Sequence, residues 1–453
     1  MQRILFNTVL LSTLLLTFRL YGQDADLVMA ETGPYSLVER SDWRRYNNGK
    51  YIGLVHREVR ASISPKAAPP QAGPATRTVS ASGNFLYQGN FFVLEETLHD
   101  TRTVAQAVDT VVPVSFQLNK SGAILVESDK GFPRLRGFPS FPTQKVHEGS
   151  KWTAPASRIV DPLNSGQPVL IPFTAEYEYK GTGMYRDTPI HIIIARYSVR
   201  YQAASRSETS ENFERLQGMH TVEISIRISD GLPLLMRDNL DETYFWADGS
   251  SVQFKGFTLT FGTSVPPLDR DTLIPSLETR FTVEAPPALP PPPPEVTPPT
   301  VQLVAEAPLA LPVPVLAQEP PPPPPPPDFG GDIEVASVPE GIRLTIKDIR
   351  FAPDSAEFLP EEGPRLDMLA EALQRIPERT FLIEGHTAAT GSPKSELTLS
   401  VERAQHMVAA MVLRGIREDR FIYKGWGGSK PVGDNNSTAG RSKNRRVEIT
   451  ILE

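Results

Sequence analysis

Two blocks of consecutive prolines interrupt this chain of 453 residues, at Pro290–Pro294 and Pro320–Pro327. They flank a stretch of alanine, valine, leucine and further prolines. Proline fixes φ and lacks an amide N–H, so residues 286–331 are predicted to be extended and polyproline-II-like. At about 3.1 Å per residue, roughly 46 such residues span up to roughly 140 Å. We therefore expect a semi-rigid spacer between residues 23–285 and 332–453.

The first 22 residues have the pattern of a secretion signal. Arg3 precedes a short apolar run from Val9 to Phe18, and Arg19 interrupts the far end of that run. The run is shorter than the roughly 20 apolar residues of a transmembrane helix. We predict a signal peptide over residues 1–22, cleaved near Gly22, rather than an uncleaved membrane anchor. After cleavage no segment is expected to cross a bilayer as a helix.

Charge and composition exclude several classes of function. The formal net charge is −7, which argues against a nucleic-acid partner. Cysteine is absent, which excludes disulfides, cysteine nucleophiles and a lipid-modified N-terminal cysteine. The seven histidines show no His-Glu-x-x-His spacing, so we predict neither a metal site nor a cofactor.

Residues 23–285 show the alternation of apolar and polar residues that is typical of antiparallel strands joined by short turns. Residues 222–229 alternate before an Asp-Gly turn, and residues 173–180 alternate before a further strand at 190–201. We predict an antiparallel all-β region, folded as a sandwich or an open barrel. Two subdomains that split near residues 130–150 are an alternative to a single domain.

Paired carboxylates in this region raise the alternative of a glycan-processing enzyme. Glu95-Glu96 and Glu176/Glu178 are the candidate pairs, because glycoside hydrolysis uses two carboxyl groups on either side of the scissile bond. Carboxylates that alternate along exposed strand faces are usually solvated. We therefore expect no enzymatic activity.

Residues 332–453 alternate between predicted strands and helices. Strands are predicted at 342–351, 380–384, 420–424 and 446–452, and helices around 366–373 and 400–415. In the second helix we predict Ser400 as N-cap, Arg403 in the first turn and Gly415 as C-cap. The alternation predicts an α/β domain with two helices on one face of a sheet.

A series of ordered motifs marks this segment: Gly385-His386-Thr387, Leu399-Ser400-x-x-Arg403-Ala404, Gly415-Ile416, Gly425-x-Gly427, Pro431 and Asn444-Arg445-Arg446-Val447-Glu448-Ile449. On these motifs residues 342–453 resemble the OmpA-like C-terminal domain, which is shared with peptidoglycan-associated lipoproteins and flagellar stator proteins. The resemblance implies a non-catalytic clamp for the diaminopimelate of peptidoglycan stem peptides. The β-rich remainder resembles no family that we can name.

The resemblance also implies which residues form the binding site. In the family, the aspartate after Gly-His-Thr and the arginine of Leu-Ser-x-x-Arg-Ala hold the zwitterionic ligand. Arg403 is kept, but Ala388 stands at the aspartate position, and Glu396 replaces the asparagine usual before Leu-Ser. Loss of a charged hydrogen-bond partner costs ~1.5–3 kcal/mol, so we predict weak or absent binding of the stem peptide. Thr387 and Arg445 complete the predicted site.

These features predict a non-enzymatic cell-envelope protein in the periplasm, or associated with the outer membrane, of a diderm bacterium. The OmpA-like module would then have a structural role or bind another envelope protein. One alternative is a functional peptidoglycan anchor in which Glu396 replaces the missing acid. His386 is expected to support the turn rather than act as a base.

Overall fold

A computed structural model describes residues 24–66, 84–94, 106–163, 166–203, 213–281, 333–347, 349–351, 355–376 and 379–453. The predicted signal peptide and the predicted proline-rich spacer lie outside the described residues, as do Glu95 and Glu96.

Antiparallel strands dominate the described residues up to 264. They are β1 (Tyr35–Asn47), β2 (Lys50–Pro65), β3 (Phe85–Leu94), β4 (Gln106–Leu118), β5 (Ile124–Val126), β6 (Leu135–Arg136), β7 (Lys151–Val160), β8 (Val169–Tyr185), β9 (Thr188–Gln202), β10 (Arg215–Arg227), β11 (Pro233–Phe245) and β12 (Ser251–Ser264). The ladder runs β5-β4-β3-β2-β1-β12-β11-β10-β9-β8-β7-β6. Because β1 pairs with both β2 and β12, the ladder is continuous from the first strands to the last.

Alternating burial explains why these segments form strands. Along β8, Ile171, Phe173, Ala175 and Tyr177 are buried, while the residues between them face outward. A side-chain period of two places all four on one face of the sheet. The predicted antiparallel all-β fold is therefore confirmed.

The connector between β6 and β7 contributes aromatic side chains to this core. The ring of Phe138 lies 5.7 Å from that of Tyr177 and 5.5 Å from that of Tyr197, between ring centroids. Trp152 stacks on Tyr177 at 5.2 Å, and its indole N–H donates to the carbonyl oxygen of Ser140 at 2.9 Å. The connector is therefore packed into the core.

A second sheet forms the C-terminal domain. Its strands are β13 (Ile333–Val338), β14 (Gly341–Lys347), β15 (Phe381–Gly385), β16 (Phe421–Gly425) and β17 (Arg446–Leu452), in the order β13-β14-β17-β15-β16. The β15–β16 pair is parallel and the other pairs in this order are antiparallel.

The helices of this domain are α2 (Gly363–Gln374), α3 (Pro393–Leu413) and the short α4 (Thr438–Asn444). Leu369 of α2 and Met407 and Met411 of α3 share one core with Ile383 and Ile449 of the sheet. This arrangement confirms the predicted α/β domain with two helices on one face. None of the helices in the described parts of the chain has the length and apolar character that a membrane crossing requires.

Helix α1 (Arg270–Phe281) was not predicted, and it lies within residues 23–285, which were predicted to be β-rich. Leu277 and Phe281 are buried in the core of the C-terminal domain. The side chain of Arg270 also pairs with that of Glu453. Pro275 lies inside the helix. Because proline is disfavoured in helix interiors, the sequence of this segment does not indicate a helix.

The β-rich region and the C-terminal domain are in direct contact. Phe92, Leu94 and Val108 pack against Leu382 and Ile422. The last two side chains belong to the sheet face opposite α2 and α3, because their neighbours along the strands lie in the helix-covered core. The two regions between which the semi-rigid spacer was predicted are therefore in contact in this structure. Burial of the apolar residues on the helix-free face favours the contact.

Candidate functional site

The turn that follows β15 is tied to two neighbouring elements. The backbone N–H of His386 donates to the carbonyl oxygen of Arg446 at 3.0 Å. The N–H of Thr387 donates to the carbonyl oxygen of Gly427, in the loop after β16, also at 3.0 Å. The turn is therefore held by the start of β17 on one side and by that loop on the other.

Helix α3 begins earlier than the sequence analysis predicted. Ser392 is the N-cap, its Oγ accepts from the N–H of Ser395 at 3.2 Å, and Pro393 is the first helical residue. The prediction of Ser400 as N-cap is therefore wrong. Proline at the first helical position, after a capping serine, is the stronger start signal. Arg403 lies about three turns into the helix rather than in its first turn.

Ser400 instead fixes α3 against the carboxyl ends of β15 and β16. Its side chain is fully buried, and its Oγ accepts from the N–H of Gly427 at 2.8 Å. A Cβ at Gly385 would lie 2.1 Å from the carbonyl oxygen of Ser400. A Cβ at Gly425 would lie 2.4 Å from the Oγ of Ser400. The two glycines are required by this close approach of the helix.

At the family's aspartate position the structure places a buried methyl group. Ala388 is 6% exposed, and the N–H of the next residue, Ala389, donates to the Oδ1 of Asn435 at 3.1 Å. Thr387 is also buried, and within the described part of the chain its hydroxyl has no hydrogen-bond partner. The turn therefore offers neutral groups where an acid is expected.

The Glu396 carboxylate binds the backbone of the same turn. Its Oε1 accepts from the N–H groups of Thr390 at 2.8 Å and Gly391 at 2.7 Å. These groups lie just before the N-cap of α3, so the carboxylate closes the turn onto the helix that carries it. The other oxygen lies beside Gly428, where a Cβ would approach it to 2.8 Å.

Arg403 lies on the face of α3 that points to this turn. Glu396, Ser400 and Arg403 are four and then three residues apart, which places them on one side of a helix. The guanidinium of Arg403 lies over the ring of Phe351, with Cζ 4.4 Å from the ring centroid. Phe351 in turn stacks on Phe358 at 4.8 Å. An aromatic wall therefore fixes the arginine through a cation–π contact.

Two asparagines that were not among the predicted site residues hold the opposite wall. The Oδ1 of Asn444 accepts from the N–H groups of Val432 and Gly433, each at 2.8 Å. Its Nδ2 donates to the Oδ1 of Asn435 at 2.8 Å, the same oxygen that accepts from Ala389. The run Asp-Asn-Asn at 434–436 was the available signal, since such residues commonly bind nearby backbone.

Arg445, the last residue of the predicted site, lies at the C-terminal end of α4. Its backbone N–H donates to the carbonyl oxygens of Arg441 and Ser442, at 3.1 and 3.2 Å. It follows the buried Asn444 directly and precedes β17. Its place in the fold is therefore at the junction between the asparagine wall and the last strand.

His386 is buried and stays neutral. Burial, and then the charges of Arg446, Lys430 and Arg343, lower the pKa of its imidazole to about 3. Glu448 lies 3.8 Å away, between its Oε2 and the imidazole Nε2. The other oxygen of that carboxylate is paired with Arg446 at 2.7 Å, so Glu448 is largely neutralised without the histidine. A neutral, enclosed imidazole is consistent with a role in supporting the turn.

The β-rich region has carboxylates both at its surface and in its interior, and the predicted candidates on β8 lie at the surface. Glu176 is exposed on β8, and Glu178 is paired with Lys180 and Arg196 on the same surface. Hydrogen bonding by Lys180 keeps the pKa of Glu178 below its ordinary value. Within the described residues no group of three or more histidine, aspartate or glutamate side chains is placed to hold a metal ion.

A second, buried pair of carboxylates was not predicted. Asp238 and Glu242 on β11 bracket His220, with Nδ1–Oδ2 at 2.8 Å and Nε2–Oε1 at 3.0 Å. Glu242 is also paired with Arg158 and accepts from the hydroxyl of Tyr244 at 2.9 Å. The adjoining cavity is only about 50 Å³, room for one or two waters. The alternating sequence of β11 gave no signal for this cluster.

Comparison with known proteins assigns the C-terminal part of the chain. Residues 350–445 match the model of the OmpA family. The peptidoglycan-binding protein ArfA of Mycobacterium tuberculosis is 35% identical over 103 residues, which are 23% of this chain and 32% of that protein. Motility protein B of Bacillus subtilis is 36% identical over 126 residues, 26% of this chain and 48% of that protein.

The matched segment thus spans less than half of the length of either relative. A solved outer membrane protein from Borrelia burgdorferi is 34% identical and covers 27% of this chain and 97% of that one, with a TM-score of 0.23. The family match covers β15 and β16, the helices α2 to α4 and the glycine-flanked turn described above. Residues 350–445 of this chain are therefore an OmpA-family domain.

Proposed function

We propose that this chain is a non-enzymatic cell-envelope protein, exported to the periplasm, whose OmpA-like domain binds the peptidoglycan stem peptide weakly or not at all. Its role would be structural or would lie in binding another envelope protein. The family match and the peptidoglycan-binding relative support the envelope assignment. The buried methyl group of Ala388 supports the loss of affinity.

The observation that carries the proposal is the position of the Glu396 carboxylate. One of its oxygens already accepts two backbone N–H groups, from Thr390 and Gly391. To neutralise a ligand ammonium in place of the missing aspartate, the side chain would have to leave both. Hydrogen bonds to a charged group are each worth about 1.5–3 kcal/mol. The free energy lost by breaking these two bonds would therefore offset most of the free energy gained from a new ion pair.

Arg403 then defines what the remaining site prefers. A guanidinium binds a carboxylate with two parallel hydrogen bonds. Without the opposing acid at position 388, a ligand ammonium group finds no dedicated partner. A free carboxylate is therefore expected to bind better than a zwitterion.

The test is calorimetry of the full chain with a diaminopimelate stem peptide. We expect negligible binding for the wild type and at least about a tenfold gain for Ala388→Asp. The double variant Ala388→Asp/Arg403→Ala should lose that gain, because both charges of the ligand must be matched.

Glu396→Gln is the decisive control. A glutamine carbonyl oxygen can accept from Thr390 and Gly391 as the carboxylate does, so the turn is kept while the charge is removed. Unchanged binding by Glu396→Gln agrees with the proposal. Tight binding by the wild type that Glu396→Gln abolishes would instead establish the alternative, a functional anchor in which Glu396 replaces the missing acid.

A further inference from the structure

The β-rich region contains a cavity of about 150 Å³ whose walls are mostly apolar. Its walls come from β1 to β4 and from the segments before β6 and β11, and include Leu37, Ile63, Phe91, Phe116 and Phe132. A cavity of about this size with apolar walls stays dry and can hold a molecule as large as benzene. The space therefore suits an apolar group of about six carbon atoms.

Arg134 lies where this cavity meets two other spaces. It lines the apolar cavity, the small polar cavity beside Glu242, and an open groove of about 500 Å³ bounded by Thr110 and Pro168. Phe132 lines both the groove and the apolar cavity, and the Arg134 guanidinium lies over its ring, with Cζ 5.0 Å from the centroid. The arginine thus borders both the open groove and the apolar cavity.

The surroundings of Arg134 favour an incoming anion. Glu39 and Asp161 are nearby, but among the described residues no carboxylate lies within ion-pairing distance, 4.0 Å, of its guanidinium. Burial, and then the charges of Arg57 and Arg158, lower the pKa of Arg134 to about 10, so it remains a cation at neutral pH. Arg158, by contrast, is paired with Glu242.

We propose that this site binds a single-chain amphipathic carboxylate, with its head on Arg134 and its alkyl tail in the apolar cavity. The charge of the arginine selects an anion, and its planar donor groups match a carboxylate. The small volume and mostly apolar walls of the cavity select an alkyl tail rather than a sugar or a peptide. This site is separate from that of the OmpA-like domain and does not depend on the function proposed there.

The first test is calorimetry of the full chain with straight-chain carboxylates from acetate to decanoate. Each added methylene should tighten binding about fourfold while the cavity fills, and the gain should level off at a tail of about six carbons. Octanol has the same tail as octanoate without the charge and should bind at least about tenfold more weakly. Equal binding of octanol and octanoate, or no dependence on chain length, would overturn the proposal.

The second test is a pair of matched variants with octanoate as the probe. Arg134→Gln should weaken binding at least about tenfold, whereas Arg200→Gln, an exposed arginine on β9, should leave it unchanged. Equal loss in both variants, or none in Arg134→Gln, would contradict the assignment. If Arg134→Gln does not fold, Arg134→Lys keeps the charge and should retain binding, and the wild-type comparison of octanol with octanoate decides.

Discussion

Arg60 of the β-rich region donates a hydrogen bond from Nη1 to the backbone carbonyl oxygen of Asp419 in the OmpA-like domain, at 2.8 Å. The same guanidinium is held by Glu58, with Nε–Oε1 at 2.6 Å, and both side chains are buried. Because Arg60 is held by Glu58 and donates to Asp419, it makes a specific contact between the two folded regions. Lys424 adds a second such contact, from Nζ to the carbonyl oxygen of Val108 at 3.0 Å.

We predict that polar substitution in this interface separates the two regions without unfolding either. Phe92 is almost fully buried against residues of both sheets. Phe92→Ser should increase the radius of gyration measured by small-angle X-ray scattering. The matched control is Leu125→Ser, at an exposed position of β5, which should leave the radius unchanged. An unchanged radius in both variants would contradict this prediction.

Alanine is expected to have opposite effects on stability at Gly385, where α3 approaches closely, and at Gly363, where the space is open. At Gly385 a Cβ would lie 2.1 Å from a backbone oxygen, so Gly385→Ala should lower the free energy of unfolding by about 3 kcal/mol or more. At Gly363 a Cβ would meet nothing within 4 Å, and the backbone is helical. Gly363→Ala should therefore raise stability by about 0.5–1 kcal/mol. Denaturant unfolding of both variants checks this, and similar effects at the two sites would refute it.

The buried His386 predicts that acid weakens the C-terminal domain. The imidazole pKa is about 3 in the folded state and about 6.5 in the unfolded chain. The unfolded state therefore binds the extra proton as pH falls below about 6.5, and stability falls with it, by up to about 1.4 kcal/mol per pH unit. Between pH 7 and 5 the loss measured by urea unfolding should be smaller in His386→Gln. An identical loss in both proteins would count against a neutral His386.

His220 predicts the opposite direction in the β-rich region. Burial opposes its charged form, but hydrogen bonds to Asp238 and Glu242 outweigh burial and raise the pKa of the imidazole above its ordinary value. Its stabilising contribution is therefore complete below about pH 6.5 and is lost as pH rises through the raised pKa. Imidazole resonances followed by NMR should give a midpoint above 6.5 for His220. A midpoint below that value would contradict the ion network.

The sequence predicted most of the C-terminal fold because its motifs are local. Gly415 follows Arg414, which is the C-cap of α3, so the predicted C-cap was off by one residue. Its φ of +90° is that expected of a glycine just beyond a helix end. The error at Ser400 has a local cause too. The stretch from Ser392 to Ser395 contains both a capping serine and a proline suited to the first helical turn. Ser400 resembles an N-cap in the sequence only because it directly precedes the apolar periodic residues.

What the sequence could not predict depends on contacts between residues far apart along the chain. Glu396 and Asn435 both accept hydrogen bonds from the backbone of the turn after β15. These roles can be recognised only when the fold places the turn between the two residues. Similarly, Asp238 and Glu242 occupy ordinary polar positions of a strand until His220, on the neighbouring strand β10, is seen between them. Sequence patterns report which face of an element is buried. They do not report which polar groups meet there.

Because helix α1 packs on the C-terminal domain, the proline-rich segment that follows it starts from that domain. Phe281, at the end of α1, and Ile333, at the start of β13, are buried in the same core. Both ends of the intervening segment are thus anchored on one domain, and the covalent link from the β-rich region is the short stretch between Ser264 and Arg270. A change in the length of the proline-rich segment would therefore leave the placement of the two folded regions unaltered, whereas insertions between Ser264 and Arg270 would alter it.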